Sequence, residues 1–535
     1  MPVQVELADP AITVHGWTKA MDKIGEYTLK LRKTPEEIKA ERETLRARYG
    51  GNPKVQQMKY EKGTVIEHDA DDPETVYFLP GLWPRVKDWL ETNKVEYEIT
   101  ADYRNPDIRP PIDFEAIKDV QFRATQDLAL ALIATSDCGV IEALPGYGKT
   151  FMFGVICRAF PTLNILITTD SISVVETAYR YLCEQLPGQV GILTGMQDTS
   201  QGKRIVVCTA RSLCKIPADK PAIVLVDEAH FISPGQSSQD LMRFCFCRKF
   251  GFTATPWRND GSKLVMESIV GPTILKLDYA DGVENGMVVP MKYAMLPCGW
   301  VPTICHKEGL NEVTLKRYAY WRNTVRNKAI ADFVIAFHKQ APDAQLLIIV
   351  STTEHAIALS LLLPWMKVIY AEGQDFKDMN KKFPKEKYPN LNIESYKMKP
   401  KQLKIARAAF AKGTLKFVIA TFTLKQGVSA NNLRLVIRAD GSTSKIPGIQ
   451  VPGRVSRLAD DKDYGYLVDV DDTGCLWTKK RADCREALYK EQGWTRITPQ
   501  DVLHDFAGQG ALNDTSRDTT IPAETTAGQR GTEES

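Results

Sequence analysis

Short apolar runs recur along this chain, and between them apolar residues fall at helical spacing. Residues 139–142, 164–168, 204–207 and 222–226 are short stretches of four or five residues built around apolar runs. That length and content predict strands covered on both faces, as in parallel sheets. Helical periodicity separates them, as at 172–186. The alternation predicts a doubly wound α/β domain over 116–275. It stops over 276–320, which reads as a connector, and resumes over 321–495. There the pattern predicts a helix over 320–340 and strands at 346–350, 417–421, 435–438 and 464–470.

The first 115 residues predict a small α+β domain. Thr34-Pro35-Glu36-Glu37 opens a highly charged helix with a capping box and proline in the first turn. Strands are expected at 64–66, 75–79 and 95–99, with a short helix at 82–90. Pro106, Pro110 and Pro111 mark a linker. Residues 496–535 are a tail, disordered from about 519, where Thr, Gly, Glu and Ala leave little to bury.

Two motifs bring chemistry to the first α/β unit. Ala143-Leu144-Pro145-Gly146-Tyr147-Gly148-Lys149-Thr150 lies between a strand and a helix. Its glycines allow backbone N–H groups to approach phosphate oxygens, with a helix N-terminus behind them. Lys149 is placed to reach the phosphates, and the Thr150 hydroxyl to bind Mg²⁺. An ordinary glycine-rich turn is the alternative for this loop alone, since Ala143 replaces the usual first glycine. The second motif is the strand end Asp227-Glu228-Ala229-His230. Ligands gather at the carboxyl ends of strands in open α/β sheets. Asp227 is thus placed for the metal and Glu228 for an attacking water.

These residues, with others in order, resemble the motif series of superfamily 2 helicases. Asp227-Glu228-Ala229-His230 spells the DEAH box. Gln121-Phe122-Arg123-Ala124-Thr125-Gln126 is similar to the upstream adenine motif. The segment 251–258 resembles motif III, and 420–429, ending Gln426-Gly427-Val428-Ser429, resembles motif V. Gln450-Val451-Pro452-Gly453-Arg454-Val455-Ser456-Arg457 resembles motif VI. The resemblance implies two tandem RecA-like P-loop domains and an ATP- and Mg²⁺-dependent DNA helicase. Arg123 and Gln126 would recognise adenine, with Gly427 and Gln450 also lining the nucleotide site. Arg454 and Arg457 would be arginine fingers, reaching the site when the domains close. Nucleic-acid contacts are implied at Thr169 and Ser171, Thr209 and Arg211, and Ser351 and Thr352, residues that also suit ordinary helix capping.

Details narrow the resemblance to the branch containing XPB and the phage enzyme UvsW, which remodels branched DNA. They are the segment 253–261, Gly427-Val428-Ser429, and Ser442-Thr443-Ser444-Lys445-Ile446 before motif VI. Phe78-Leu79-Pro80-Gly81-Leu82-Trp83, with Asp102-Tyr103-Arg104, resembles the DNA-engaging N-terminal domain of that branch. Branch migration, fork regression or annealing is the implied role, in DNA replication, recombination or repair. Two other roles stay open: an RNA helicase, and a non-unwinding DNA-translocating subunit of a nuclease complex.

Composition restricts this picture. The 535 residues carry a net charge of only +3, so a nucleic-acid surface must arise locally. The strongest local candidate is the insertion near 374–400. There Lys381, Lys382, Lys385 and neighbouring lysines alternate with Phe376, Phe383, Tyr388 and Tyr396. It reads either as a strand-binding surface or as a solvated loop packed by its aromatics. The 11 cysteines show no zinc spacing. No signal peptide or membrane-spanning run is visible, so a cytoplasmic location is expected, the host cytoplasm if the source is viral.

Overall fold

The computed structural model describes residues 2–7, 11–32, 40, 58–102, 106–244, 247–254, 261–307, 309–370, 376, 378–421, 430, 432–444, 452–459 and 461–515. The charged helix expected from Thr34, Tyr103 and Arg104, residues 255–258 of motif III, residues 422–429 of motif V with Gly427, Gln450, and the tail from 519 lie outside them. The chain divides into two units. The first comprises Met1–Pro290, Leu424–Asn431 and Ser444–Asp463, and the second Met291–Thr423, Asn432–Thr443 and Tyr464–Ser535.

The first unit opens on a five-stranded sheet built from β1 (Val3–Leu7), β2 (Ile12–His15), β5 (Ile66–His68), β6 (Thr75–Phe78) and β7 (Tyr97–Asp102). Its order is β5-β6-β2-β1-β7, with β1 and β7 parallel. Strict alternation in β1 buries Val3, Val5 and Leu7. These meet Val86 and Leu90 of the helix Trp83–Thr92 in one core. A separate antiparallel ribbon joins β3 (Glu26–Arg32) to β4 (Met58–Thr64).

The larger sheet of the first unit contains β8 (Cys138–Glu142), β9 (Ile165–Thr169), β10 (Val190–Leu193), β11 (Ile205–Thr209), β12 (Ile223–Asp227), β13 (Arg248–Thr253) and β14 (Thr273–Lys276). All pairings are parallel, in the order β10-β11-β9-β12-β13-β8-β14. Every residue of β9, β11 and β12 is buried, because helices cover both faces. Successive residues of β12 accordingly enter two different cores: Ile223 and Leu225 one, Val224 and Val226 the other.

The second unit repeats this topology. Its strands are β15 (Met291–Cys298), β16 (Gln345–Val350), β17 (Lys367–Ile369), β18 (Phe417–Thr421), β19 (Leu433–Arg438), β20 (Gly465–Asp472) and β21 (Thr495–Ile497). The parallel order is β17-β18-β16-β19-β20-β15-β21, position for position that of the first sheet. The region expected to be a connector over 276–320 therefore includes a full strand, β15. Lys292 and Pro297 interrupt its apolar run and hide it from periodicity. The helix expected over 320–340 begins at Thr324, preceded by a single π-helical turn, Arg317–Trp321.

Buried charges brace the carboxyl ends of β19 and β20. Arg326 Nε donates to Asp472 at 2.7 Å, Arg485 Nε to Asp469 at 2.9 Å, and Arg438 Nη2 to Asp440 at 3.1 Å. Tyr489 donates to Asp469. Three arginines against three aspartates balance their charge, which is what permits full burial.

Candidate nucleotide site

The loop after β8 turns where residues without a Cβ are needed. Gly146 and Gly148 have φ of 102° and 90°, in the left-handed region. Gly148 caps the helix Lys149–Ala159 without any side-chain bond, so the first N–H groups of that helix remain free of a side-chain partner. Leu144 and Tyr147 are buried and anchor the loop, while Pro145 and Thr150 are half-buried.

Gln126 holds this loop from behind. Its Nε2 donates to the Tyr147 carbonyl at 2.7 Å, and its Oε1 accepts from the Arg123 N–H at 2.9 Å. The Tyr147 hydroxyl donates to the Thr125 carbonyl at 3.2 Å. Thr125 itself has φ of 69°, a strained conformation for a β-branched residue. Gln126 is fully buried and Arg123 exposed.

β12 delivers the carboxylates. Lys149 Nζ lies 2.7 Å from Glu228 Oε1 and 3.6 Å from Asp227 Oδ1. Burial works against the Lys149 ammonium, but the two carboxylates outweigh it and raise its proton affinity. Burial raises the proton affinity of Asp227, whereas Lys149 and His230 together hold Glu228 below the usual carboxylate range against burial. Glu228 has φ of 53°, a strained position of the sort concentrated at functional sites. His230 Nδ1 lies 3.4 Å from Glu228 Oε2 and 3.0 Å from Thr253 Oγ1. This link from strand β12 to the end of β13 escaped sequence reasoning. Only the identity of the two residues could have suggested it.

The segment Ser444–Asp463 packs as part of the first unit. Val289 N–H donates to the Ser456 carbonyl at 2.7 Å, and Val288 bridges to Arg457 in antiparallel register. A Cβ on Gly453 would lie 2.8 Å from Cγ of Pro145, and one on Gly146 would lie 3.7 Å from Cγ of Arg457. Motif VI thus sits directly on the phosphate loop. Pro452–Arg454 forms a short 3-10 turn. Burial and neighbouring Arg457 push the Arg454 guanidinium down to about 9, opposed by Glu228. Arg457 is lowered by burial, and its Nε has no hydrogen-bond partner.

The expected strand-contact residues sit at carboxyl ends of strands. Thr169 ends β9 with a buried, unpartnered Oγ1, and Thr209 Oγ1 shares a 2.9 Å bond with Ser212. Ser171 precedes the helix Ile172–Gln185, and Arg211 is exposed. In the second unit Ser351 donates to the Asp440 carbonyl at 2.9 Å, and Thr352 caps the helix Thr353–Ser360. The basic insertion is folded. Phe376 and Phe383 are buried, and the Tyr396 hydroxyl bonds Ser360 at 2.8 Å. Base stacking by Phe376 and Phe383 is therefore excluded in this arrangement, because their rings form the insertion's own core. Lys381 and Lys385 are exposed, whereas Lys382 turns inward to Glu354.

Among the described residues no cluster of His, Cys, Asp and Glu has metal-binding form, and no helix is long and apolar enough to cross a membrane. The groups at hand — an uncapped helix start, a half-buried lysine, a threonine and a strand-end carboxylate pair — suit a nucleotide phosphate chain with Mg²⁺.

Comparison with known proteins agrees. The type III restriction enzyme res subunit family matches residues 115–258. The XPB/SSL2 helicase/translocase subunit of general transcription and DNA repair factor IIH from Saccharomyces cerevisiae is 22% identical over 309 residues, 53% of this chain and 36% of that one. The XPB2 subunit of Arabidopsis thaliana is 20% identical over 54% of this chain and 42% of its own, and putative helicase 22 of a Sulfolobus islandicus filamentous virus is 26% identical over 46% and 42%. The chain thus spans less than half the length of these curated relatives. Among solved structures, Saccharomyces cerevisiae Dbp5 bound to RNA and ADP BeF3 aligns over 74% of this chain and 96% of its own, at TM-score 0.51 and 14% identity. That likeness carries the tandem RecA-like fold. T4 UvsW aligns over 93% and 99%, at TM-score 0.39 and 14% identity. By these likenesses the chain is related to the XPB helicase/translocase subunits of superfamily 2.

Proposed function

We propose that this chain is an ATP-dependent DNA helicase or translocase of DEAH type that remodels branched DNA. The observation that carries the reading is the convergence of Lys149, Asp227 and Glu228 beneath a loop against which Gly453, beside Arg454, is packed. Lys149 would bind the phosphates, and Thr150 with Asp227 would hold Mg²⁺, which neutralises phosphate charge when bound. Glu228 orients water. It is a weak base while paired with Lys149, and it gains basicity when Lys149 turns to a phosphate. Arg454 and Arg457 stabilise charge developing on the transferred group. Gln126 holds the Tyr147 carbonyl, so recognition at Gln126 would be transmitted straight to the loop.

The XPB relationship favours DNA as the track, and Ser442, Thr443 and Ser444 before motif VI favour the UvsW-like activity on junctions. The N-terminal sheet and the folded basic insertion would add strand contacts. The test is ATP hydrolysis measured with duplex, forked and four-way-junction DNA and with RNA, paired with strand displacement on each. Stimulation greatest on branched DNA, with displacement, is expected. Greater stimulation by RNA would move the assignment to an RNA helicase. DNA-stimulated hydrolysis without displacement would make it a translocating subunit.

A further inference from the structure

In the second unit three cations meet one carboxylate. Glu354, in the first turn of the helix Thr353–Ser360, has a side chain only 2% exposed. Arg322 Nε lies 2.6 Å from it, Arg317 Nε 3.7 Å and Lys382 Nζ 3.7 Å. The cations come from three places: a π-helical turn, the residue after it and the basic insertion. Their side chains remain 34%, 37% and 30% exposed, so each keeps an open face.

One carboxylate neutralises one of three charges, which leaves the cluster at +2. The surroundings add unsatisfied donors: Arg317 Nε, Trp321 Nε1 and Thr353 Oγ1 are buried without hydrogen-bond partners. Three donors lacking acceptors next to surplus positive charge suit an anion. The π turn Arg317–Trp321 places Arg317 5.8 Å from the Trp321 ring, and such turns occur often at functional sites. The helix itself starts beyond the carboxyl end of β16, on the ligand-binding side of a parallel sheet.

We propose that Arg317, Arg322 and Lys382, held together by Glu354, bind a backbone phosphate of the nucleic-acid strand. The site rests on the nucleic-acid reading above and extends it to two arginines that lie in none of the helicase motifs. It also assigns Lys382 a role distinct from its exposed neighbours Lys381 and Lys385.

The test is binding of a fluorescent single-stranded oligonucleotide to the full chain over a series of salt concentrations. DNA and RNA of one sequence would be used in parallel. Arg322→Gln and Lys382→Gln should each weaken binding irrespective of sequence. Each should also lower the slope of log affinity against log salt by roughly 0.7, the value for one lost single-strand phosphate contact. Arg322→Lys should recover most of the slope. Melting temperature monitors folding, and if Arg322→Gln unfolds the chain, the more peripheral Lys382→Gln decides. Unchanged slopes in folded variants, while the wild type binds with normal salt dependence, overturn this site and leave the helicase reading intact. A wild-type chain that hydrolyses ATP yet binds neither strand overturns both.

Discussion

The ammonium of Lys149 is 2.7 Å from Oε1 of Glu228, so the two groups expected to act on opposite ends of a reaction are paired with each other. Both are half-buried, and the pairing raises the proton affinity of one and lowers that of the other. On the proposed function, a nucleotide phosphate competes with Glu228 for Lys149. Binding and activation of the base would then be one event, since releasing Lys149 restores basicity to Glu228.

Glu228→Gln follows from this exchange. It frees Lys149 from its nearest counter-charge and removes the group proposed to orient water. Turnover should fall by about 10²–10⁴, the usual range for a general base. Nucleotide affinity, read by equilibrium binding, should hold or tighten. Retained turnover would show that water is positioned elsewhere.

Arg457→Ala should reduce turnover by roughly 10³ or more while nucleotide affinity changes little, as for a finger acting on developing charge. Arg457 Nε is buried without a hydrogen-bond partner, so its truncation frees no buried partner group at that atom. Steady-state kinetics with a separate binding measurement divides the two effects. Loss of affinity with intact maximal rate would make it a ground-state contact.

Gly453→Ala tests the contact between motif VI and the phosphate loop. The added methyl would meet Pro145 Cγ at 2.8 Å, and a proline ring has little room to yield. Overpacking of this sort costs about 1–3 kcal/mol. We expect at least a tenfold loss of turnover with a small fall in melting temperature. An unchanged rate would mean that the contact has no bearing on catalysis.

The second unit should lose stability in mild acid through His355. This residue is fully buried, bonds Asn327 Oδ1 at 3.0 Å, and is held well below its ordinary pKa by burial and by Arg326. Below about pH 6.5 the unfolded chain takes up a proton here that the folded chain refuses, so stability rises with pH in that window. The contribution is full above 6.5 and fades by about 1.4 kcal/mol per pH unit below it. Urea unfolding at pH 7.5 and 5.5 should show this slope, and His355→Gln should flatten it. Equal slopes in the two proteins would contradict the assignment.

Much of this architecture could be read from residue order. Strands such as β12 and β18 are short apolar runs with turn residues around them, and the phosphate loop stands out because Gly146, Gly148 and Lys149 have fixed spacing. Neighbour relations were not readable. Both large sheets share one strand order, yet nothing local in the sequence says that β8 lies between β13 and β14. β15 was missed because its burial depends on β20 and β21, not on unbroken apolar residues. Arg438 ends one expected strand and Asp469 lies within another, and only the structure shows both as parts of a buried charge network. The aromatics of the basic insertion have the composition of a stacking surface, and only tertiary packing shows Phe376 and Phe383 facing inward.

The most direct measurement is nucleic-acid-stimulated ATP hydrolysis by the wild type and by Lys149→Ala. The proposed function predicts Mg²⁺-dependent hydrolysis that rises with branched DNA in the wild type. In the variant it predicts loss to background, with nucleic-acid binding still measurable. Wild-type turnover in Lys149→Ala would contradict the site at its centre.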